Sequence, residues 1–342
     1  GKYIKRDINK SIHYFTLAAD QNYSHAQYNL GLIYSESEYI QRDINKSIHY
    51  LTLAADQNNS NAQNYLGIIY YNGKYIKRDI NKSIHYFTLA ADQNNPEAQN
   101  NLGLIYYDNK YIKRDINKSI HYFTLAANKN FSYAQYYLGV IYYNGKYIKR
   151  DINKSIHYFI LAANENHLNA QYELGVIYYD GKYIQRDINK SIHYLTLAAN
   201  HNYQDSQNNL VNIYYDTEFI KQNINESMNY FTLAANKNHL NAQYYLGFIY
   251  YEGKYIKRDI NKSIHYFTLA ANKNHLNAQF FLGFIYYEGE YIQRDINKSI
   301  HYLILAANQN NQNAQSYLGL IYCEGKYIKR DINKSIHYFT LA

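Results

Sequence analysis

Residues 60–94 read SNAQNYLGIIYYNGKYIKRDINKSIHYFTLAADQN, and the rest of the chain is this sentence repeated. The Asp of its RDINK segment, Asp79, returns at Asp7, Asp43, Asp115, Asp151, Asp187, Asp259, Asp295 and Asp331, and Asn223 fills the one missing place in a beat of 36 residues. A fixed period in this range marks a stacked-repeat architecture, in which each unit contacts only its neighbours. Within the template, Ala62, Leu66, Ile69 and Tyr70 fall on one side of a 3.6-residue period, which predicts an amphipathic helix, A, ending near Gly73. Asp79 stands where an N-cap belongs, its carboxylate placed to accept from the first amides of a second helix, B. Helix B carries Ile80, Ser83, Ile84, Phe87, Ala90 and Ala91 along one stripe and Asn81, His85, Thr88 and Asp92 along the other. Asn94 closes it, since Asn follows Gly in tolerance of a left-handed turn. An Asn occupies that place in all nine complete B segments.

All fifteen glycines fall into two columns. Gly1, Gly73, Gly145, Gly181, Gly253, Gly289 and Gly325 lie in the A–B loop, where Ser37, Asn109 and Thr217 replace glycine in the other copies. The remaining eight, from Gly31 and Gly67 to Gly319, follow the helix A leucine. Glycine inside a helix costs about 1 kcal/mol against alanine, so its recurrence there predicts close approach of a neighbouring helix.

The pattern A-x-x-x-L-G-x-I-Y-Y-x-G-K-Y-I-K-R-D-I-N-K-S-I-H-Y-F-x-L-A-A resembles the Sel1-like repeat, a relative of the tetratricopeptide repeat, over the whole chain. Ser83 departs from it, standing where the family has Ala, and Asn94 stands where it has Gly. The resemblance implies an all-α, right-handed superhelical solenoid of about nine and a half 36-residue repeats. The array is expected to run as one domain from 1 to 342, with A helices on the concave side and B helices outside. It also implies a non-catalytic adaptor that uses no cofactor.

Composition narrows the partner. The chain has 342 residues, 46 of them Tyr, no Trp, one Pro and a formal charge of +8. Acids are interspersed with the bases, so this charge permits a nucleic-acid partner without implying one. One cysteine, Cys323, excludes an internal disulfide framework and favours a reducing, cytoplasmic setting. The longest apolar runs, such as YYLGVIYY and FFLGFIYY, are far short of a membrane span. No signal peptide is visible, and a chain that opens and closes inside a repeat reads as a piece of a longer array.

Leu66, Ile69 and Tyr70 have identical equivalents in all nine A helices, while other columns vary. At 100° per residue, Asn61, Asn64, Ile68, Tyr71 and Asn72 point away from the core stripe. The expected groove therefore takes Tyr136, Tyr172, Asn208, Tyr244 and Phe280 from the Asn64 column. It takes Val140, Val176, Asn212, Phe248 and Phe284 from the Ile68 column, and Tyr143, Tyr179, Tyr251 and Tyr287 from the Tyr71 column. Neutral drift on a solvated face favours polar residues. Phe248, Phe280 and Phe284 are not polar, and an exposed aromatic cluster points to a protein or peptide partner. Seven A helices end in an acid, Glu252 among them, which either pairs with the next loop lysine (Lys254) or forms a rim that selects basic residues.

Other features read more plainly. The nine SIHY histidines, His13 to His337, sit on the polar face of helix B, too far apart for a shared zinc shell. Lys74, Lys77, Arg78 and Lys82 recur as a basic edge, the alternative site for nucleic acid or an anionic membrane. Ten N-K-S or N-E-S sequons place the Ser on the buried stripe, so the match is accidental. No constellation around Cys323 suggests catalysis. Residues 203–229 break the beat, and read as decay or as a polar notch of Asp205, Asn208 and Asn212.

Overall fold

The computed structural model describes residues 7–36 and 40–342, with positions 217 and 218 by their backbone alone. The described residues form twenty helices and no strand. The A helices are Ser24–Glu36, Ser60–Asn72, Pro96–Tyr107, Ser132–Asn144, Leu168–Asp180, Gln204–Tyr215, Leu240–Glu252, Leu276–Glu288 and Gln312–Glu324. The B helices are Ile8–Asp20, Ile44–Asp56, Ile80–Asp92, Ile116–Ala127, Ile152–Asn164, Ile188–Asn200, Ile224–Asn236, Ile260–Ala271, Ile296–Ala307 and Ile332–Leu341. A short extra helix, Thr217–Gln222, replaces one loop. The packing gathers into two compact units, Gly1–Tyr194 and Leu195–Ala342. The readings placed on Gly1 and Ser37 lie outside the described residues.

Helix ends are set by the residues expected to set them. All nine RDINK aspartates accept from the amide three residues on, as Asp79 Oδ1 does from Lys82 N at 2.9 Å. The Asp79 amide in turn donates to the Tyr70 carbonyl at 3.1 Å, tying the end of helix A to the start of helix B. Asn94 and its eight equivalents all take the left-handed conformation, with φ between 59° and 66°. Gly73 does the same at 59°, and a Cβ there would lie 2.6 Å from that of Arg78.

The A–B interface is as close as the glycine column requires. A Cβ on Gly67 would meet the Phe87 ring at 2.6 Å. Ser83, fully buried, donates its hydroxyl to the Gly67 carbonyl at 2.8 Å. Serine at this family alanine position thus adds a hydrogen bond between the helices without adding bulk. Ser47, Ser119, Ser155, Ser191 and Ser335 make the same bond. Around it Ala62, Leu66, Phe87 and Ala90 are closed to solvent. Successive A helices also touch within each unit, Ser60–Asn72 with Pro96–Tyr107 and Leu240–Glu252 with Leu276–Glu288.

The basic edge is structural for much of its length. Arg78 donates from Nε to the Tyr71 carbonyl at 2.8 Å and from Nη2 to the Asn72 carbonyl at 2.9 Å, capping helix A. Its guanidinium lies 4.6 Å from the centre of the Tyr111 ring, one repeat on. Arg42, Arg114, Arg150, Arg258 and Arg294 stack in the same way on Tyr75, Tyr147, Tyr183, Tyr291 and Tyr327. Lys82 sits over Tyr70, which itself stacks nearly parallel on Tyr86. Each such contact is worth about 0.5–1 kcal/mol where exposed, and the ladder gives the tyrosines a packing role. The Glu252–Lys254 ion pair expected from sequence does not form among the described residues. Arg258 donates to the Glu252 carbonyl at 3.1 Å, while the recorded ion pairs join the capping aspartates to helix B lysines, such as Asp259 to Lys262 at 3.6 Å.

Candidate functional site

Of the residues expected to line one groove, Tyr136 to Tyr179 belong to the first unit and Asn208 to Tyr287 to the second. They do not stand as free rings. Among them Asn212 alone is well exposed; Tyr136, Val140, Tyr143, Tyr172, Val176, Tyr179, Asn208, Tyr244, Phe248, Tyr251, Phe280, Phe284 and Tyr287 are half-buried. Exposure of Phe248, Phe280 and Phe284 is therefore corrected. Phe248 meets Phe281 edge-on at 5.3 Å, and Phe284 meets Tyr317 at 5.5 Å. Phe280 packs against the Leu303–Leu318 core of the next repeat. The cause is the contact between successive A helices: the side turned from an A helix's own core faces its neighbour before it faces solvent.

The Asn64 column shows this most clearly. Asn64 itself is 4% exposed and donates to Glu97 Oε2 at 3.0 Å. Tyr136 and Tyr244 stack on His167 and His275, the N-cap residues of the following A helices, at 4.7 and 4.6 Å. Val140 and Tyr143 pack on the core around Phe159 and Leu174, and Tyr251 on that around Phe267 and Leu282. Within each unit the A helices thus carry half-buried aromatic and aliphatic edges. One cavity of about 310 Å³ lies between Ser60–Asn72 and Pro96–Tyr107, lined by Ile68, Tyr71, Phe87, Asn101, Leu104 and Ile105.

Three sets of residues went unread in the sequence. The first is the column of Tyr65. Its members Tyr137, Tyr245 and Phe281 lay their rings on the helix B phenylalanines Phe123, Phe231 and Phe267, at 5.2, 6.0 and 5.4 Å. The second is a glutamine pair. Gln63 donates to the Ala55 carbonyl at 3.1 Å and accepts from Gln93 of the next B helix at 2.6 Å. Gln27–Gln57 and Gln279–Gln309 repeat this link. Where the second glutamine is Lys129, Glu165 or Lys273, the buried oxygens of Gln99, Gln135 and Gln243 have no partner. A polar residue held in all nine copies on the core stripe was the available signal. The third set is the N-cap of helix A. His167, His239 and His275 accept at Nδ1 from the amides of Ala170, Ala242 and Ala278. Burial holds the three imidazoles below the usual histidine range.

The SIHY histidines are exposed, each set edge-on against the adjacent tyrosine, His85 to Tyr86 at 5.3 Å for example. No group of three or more His, Cys, Asp or Glu among the described residues could hold a metal ion. No described helix is long and apolar enough to cross a membrane. In the broken stretch Asp205 and Asn212 are exposed and Asn208 is half-buried beside Gln204.

Comparison with known proteins follows the same lines. The solved structure of c5321, a protective antigen of uropathogenic Escherichia coli with an SLR fold, is 24% identical, covering 96% of this chain and 71% of that one at a TM-score of 0.73. A Sel1 repeat protein from Oxalobacter formigenes is 25% identical over 98% of this chain and 86% of its own, at a TM-score of 0.48. The immunity protein Pa5087 from Pseudomonas aeruginosa is 17% identical over 58% of this chain and 76% of its own, at 0.38. No curated protein matches. The model of the Sel1 repeat matches ten times, at residues 1–23, 24–59, 60–95, 96–131, 132–167, 168–203, 205–239, 240–275, 276–311 and 312–342. With that beat, those caps and this pairing of helices, the chain belongs to the Sel1-repeat family.

Proposed function

We propose that this chain is a non-catalytic scaffold that binds a peptide or protein segment along the faces of its A helices. Sel1 repeats generally mediate protein interactions, and the family is generally non-catalytic. One observation supports the finer reading. Along the body of helix A the Asn64, Tyr65 and Ile68 columns vary beside Leu, Ile and Tyr columns that never change, and the columns leading into the helix, at Gln57 and from Asn59 to Asn61, vary as much. Most of the varying residues in the helix body are half-buried on the A helices, Asn64 and Asn100 being buried and Asn212 and Leu320 exposed, with an apolar cavity between two of the helices. Anchor pockets of this kind, surrounded by polar rims, are where interface energy concentrates. The basic edge competes poorly as a binding site, because its arginines already cap helices and stack on tyrosines.

The test is selection of binders from a random peptide display library, followed by affinity measurement on two variants. Val140→Ala combined with Tyr143→Ala should weaken the selected peptides roughly tenfold or more, while Lys77→Glu with Arg78→Glu leaves them unchanged. The opposite pattern, with affinity collapsing steeply as salt is raised, would move the site to the loop edge and its anionic partners.

A further inference from the structure

We infer that the first unit reads its peptide through an aromatic socket over Phe87 and a carboxylate, Glu173, two repeats further on. The inference rests on the scaffold reading and gives its ligand a chemistry: an extended segment carrying a Tyr or Phe and, about six residues away, an Arg or Lys.

The socket is defined by the chain's own rings. Three times the Tyr65 column places an aromatic side chain on the phenylalanine fourteen residues before it, nearly parallel in two cases: Tyr137 on Phe123 at 5° and Phe281 on Phe267 at 7°. At Phe87 the residue in that place is Asn101. Its amide is drawn sideways, donating to Asn64 Oδ1 at 3.2 Å. Beside it lies the cavity of about 310 Å³, lined by Phe87, Ile68, Tyr71, Leu104 and Ile105, with Phe87 itself 2% exposed beneath its neighbours. A partner's ring entering here and displacing the Asn101 side chain would make the contact that Tyr137 makes one repeat later, an offset or parallel stack between rings.

Phe15 and Phe159 are the other helix B phenylalanines of this unit whose column partner is not a ring; at Phe15 that partner is Asn29 and at Phe159 it is Glu173. The Glu173 carboxylate is half-buried near Tyr143 and makes no ion pair among the described residues. Burial pushes its carboxyl above the usual carboxylate range, so a cation from a partner would relieve an uncompensated desolvation. Exposed acids end the two A helices involved, Asp108 after Pro96–Tyr107 and Asp180 on Leu168–Asp180, and have the same sign as Glu173. Repeats stack at about 10 Å and an extended chain advances about 3.3 Å per residue, so sites two repeats apart are spanned by roughly six residues.

The experiment uses fluorescein-labelled Gly/Ser decapeptides with Tyr and Arg six residues apart in both orders, with matching peptides in which Tyr or Arg is Ala or the spacing is three. Binding to the full chain is read by fluorescence anisotropy. One six-spaced order should bind, and Tyr→Ala in that peptide should weaken it roughly tenfold. Asn101→Tyr, which recreates the Phe123–Tyr137 pair at Phe87, should cause the same loss, with no further loss from Tyr→Ala. Glu173→Gln should weaken the Arg peptide and flatten its salt dependence. In parallel, p-cresol titrated into the wild-type chain should shift the methyl resonances of Ile68, Leu104 and Ile105, a readout independent of how well N101Y folds. The inference is overturned if N101Y binds the Tyr peptide as tightly as wild type, if the three-residue spacing binds as well as six, if p-cresol leaves those methyls unmoved, or if no peptide binds. Library-selected peptides that respond to the Val140 and Tyr143 variants but not to N101Y would remove the socket while leaving the scaffold standing.

Discussion

The modules at residues 60–94 and 204–238 have the same length and the same Leu–Ile–Tyr core column, yet they are held together differently. In the first, Gly67 lets Phe87 approach and Ser83 bonds the Gly67 carbonyl. Asp79 caps helix B, and Gln93 latches to Gln63. In the second, buried Val211 replaces the glycine and the hydroxyls of Ser206 and Ser227 have no partner. Asn223 gives no cap bond, its amide turning back to the Phe219 carbonyl at 3.1 Å. A helix, Thr217–Gln222, fills the loop and buries Ile220. Tyr214 recovers part of the loss through a 3.1 Å bond to Glu226. The apolar column is thus sufficient to keep two helices in phase. The glycine, the capping acid and the polar latches decide how close they come and how firmly.

The strongest way to break that comparison is to carry the second module's valine into a regular one. Gly139→Val places a branched side chain where even a Cβ would sit 2.5 Å from the Phe159 ring. Overpacking of this severity costs about 3 kcal/mol. The expected result is a lower urea midpoint and faster amide exchange in the helices Ser132–Asn144 and Ile152–Asn164. An unchanged midpoint would show that the interface yields as easily as it has at Val211, and that the glycine column reflects ancestry rather than packing.

How much of this was readable in the sequence follows from the kind of constraint involved. Asp79, Asn94, Gly73 and Gly67 answer to backbone demands that few residue types meet, so their columns identified the caps, the turns and the close contact directly. The aromatic columns misled because helical periodicity describes one interface, whereas each A helix inside a unit faces its own B helix and A helices on either side. Phe248 and Phe284 look outward from the first and inward to the others. Pairings across repeats, such as Gln63 with Gln93 or Arg78 with Tyr111, join residues 30 and 33 apart. Nothing in a single helical period shows them, although the fixed offset was there to be found.

Two smaller substitutions sharpen the contrast by repairing the second module. Asn223→Asp restores the acid found at the other nine starts of helix B and should stabilise Ile224–Asn236 by about 1 kcal/mol, the usual value of an N-cap. Asp151→Ala should lose a similar amount. Both are read as shifts in melting temperature, and the pair should move in opposite directions. Lys237→Gln places an amide opposite Gln207, in a cavity of about 60 Å³ lined by Ala199, Tyr230, Leu233 and His239. A net hydrogen bond of about 1 kcal/mol or less is expected. Gln93→Lys should undo the same latch in the regular module, and equal stabilities for both variants and wild type would show that the latch is ornamental.

The smallest effect separates helices by what caps them. Asn59, Asn95 and Asn311 accept from the amides of Ala62, Ala98 and Ala314 and do not titrate, whereas His167, His239 and His275 perform the same task with an imidazole nitrogen. Protonating Nδ1 turns that acceptor into a donor facing another donor. Burial holds the three histidines below their unfolded value. Between the folded and unfolded pKa the unfolded chain therefore carries more protons, and stability falls as pH drops through about 6.5. His167→Asn, His239→Asn and His275→Asn together should keep the caps and flatten stability between about pH 7 and 5. Amide exchange at Ala170, Ala242 and Ala278 would locate the loss. If those amides are no more labile at low pH than Ala62 and Ala98, protonation is being absorbed elsewhere, and the difference between the two kinds of cap is one of residue type alone.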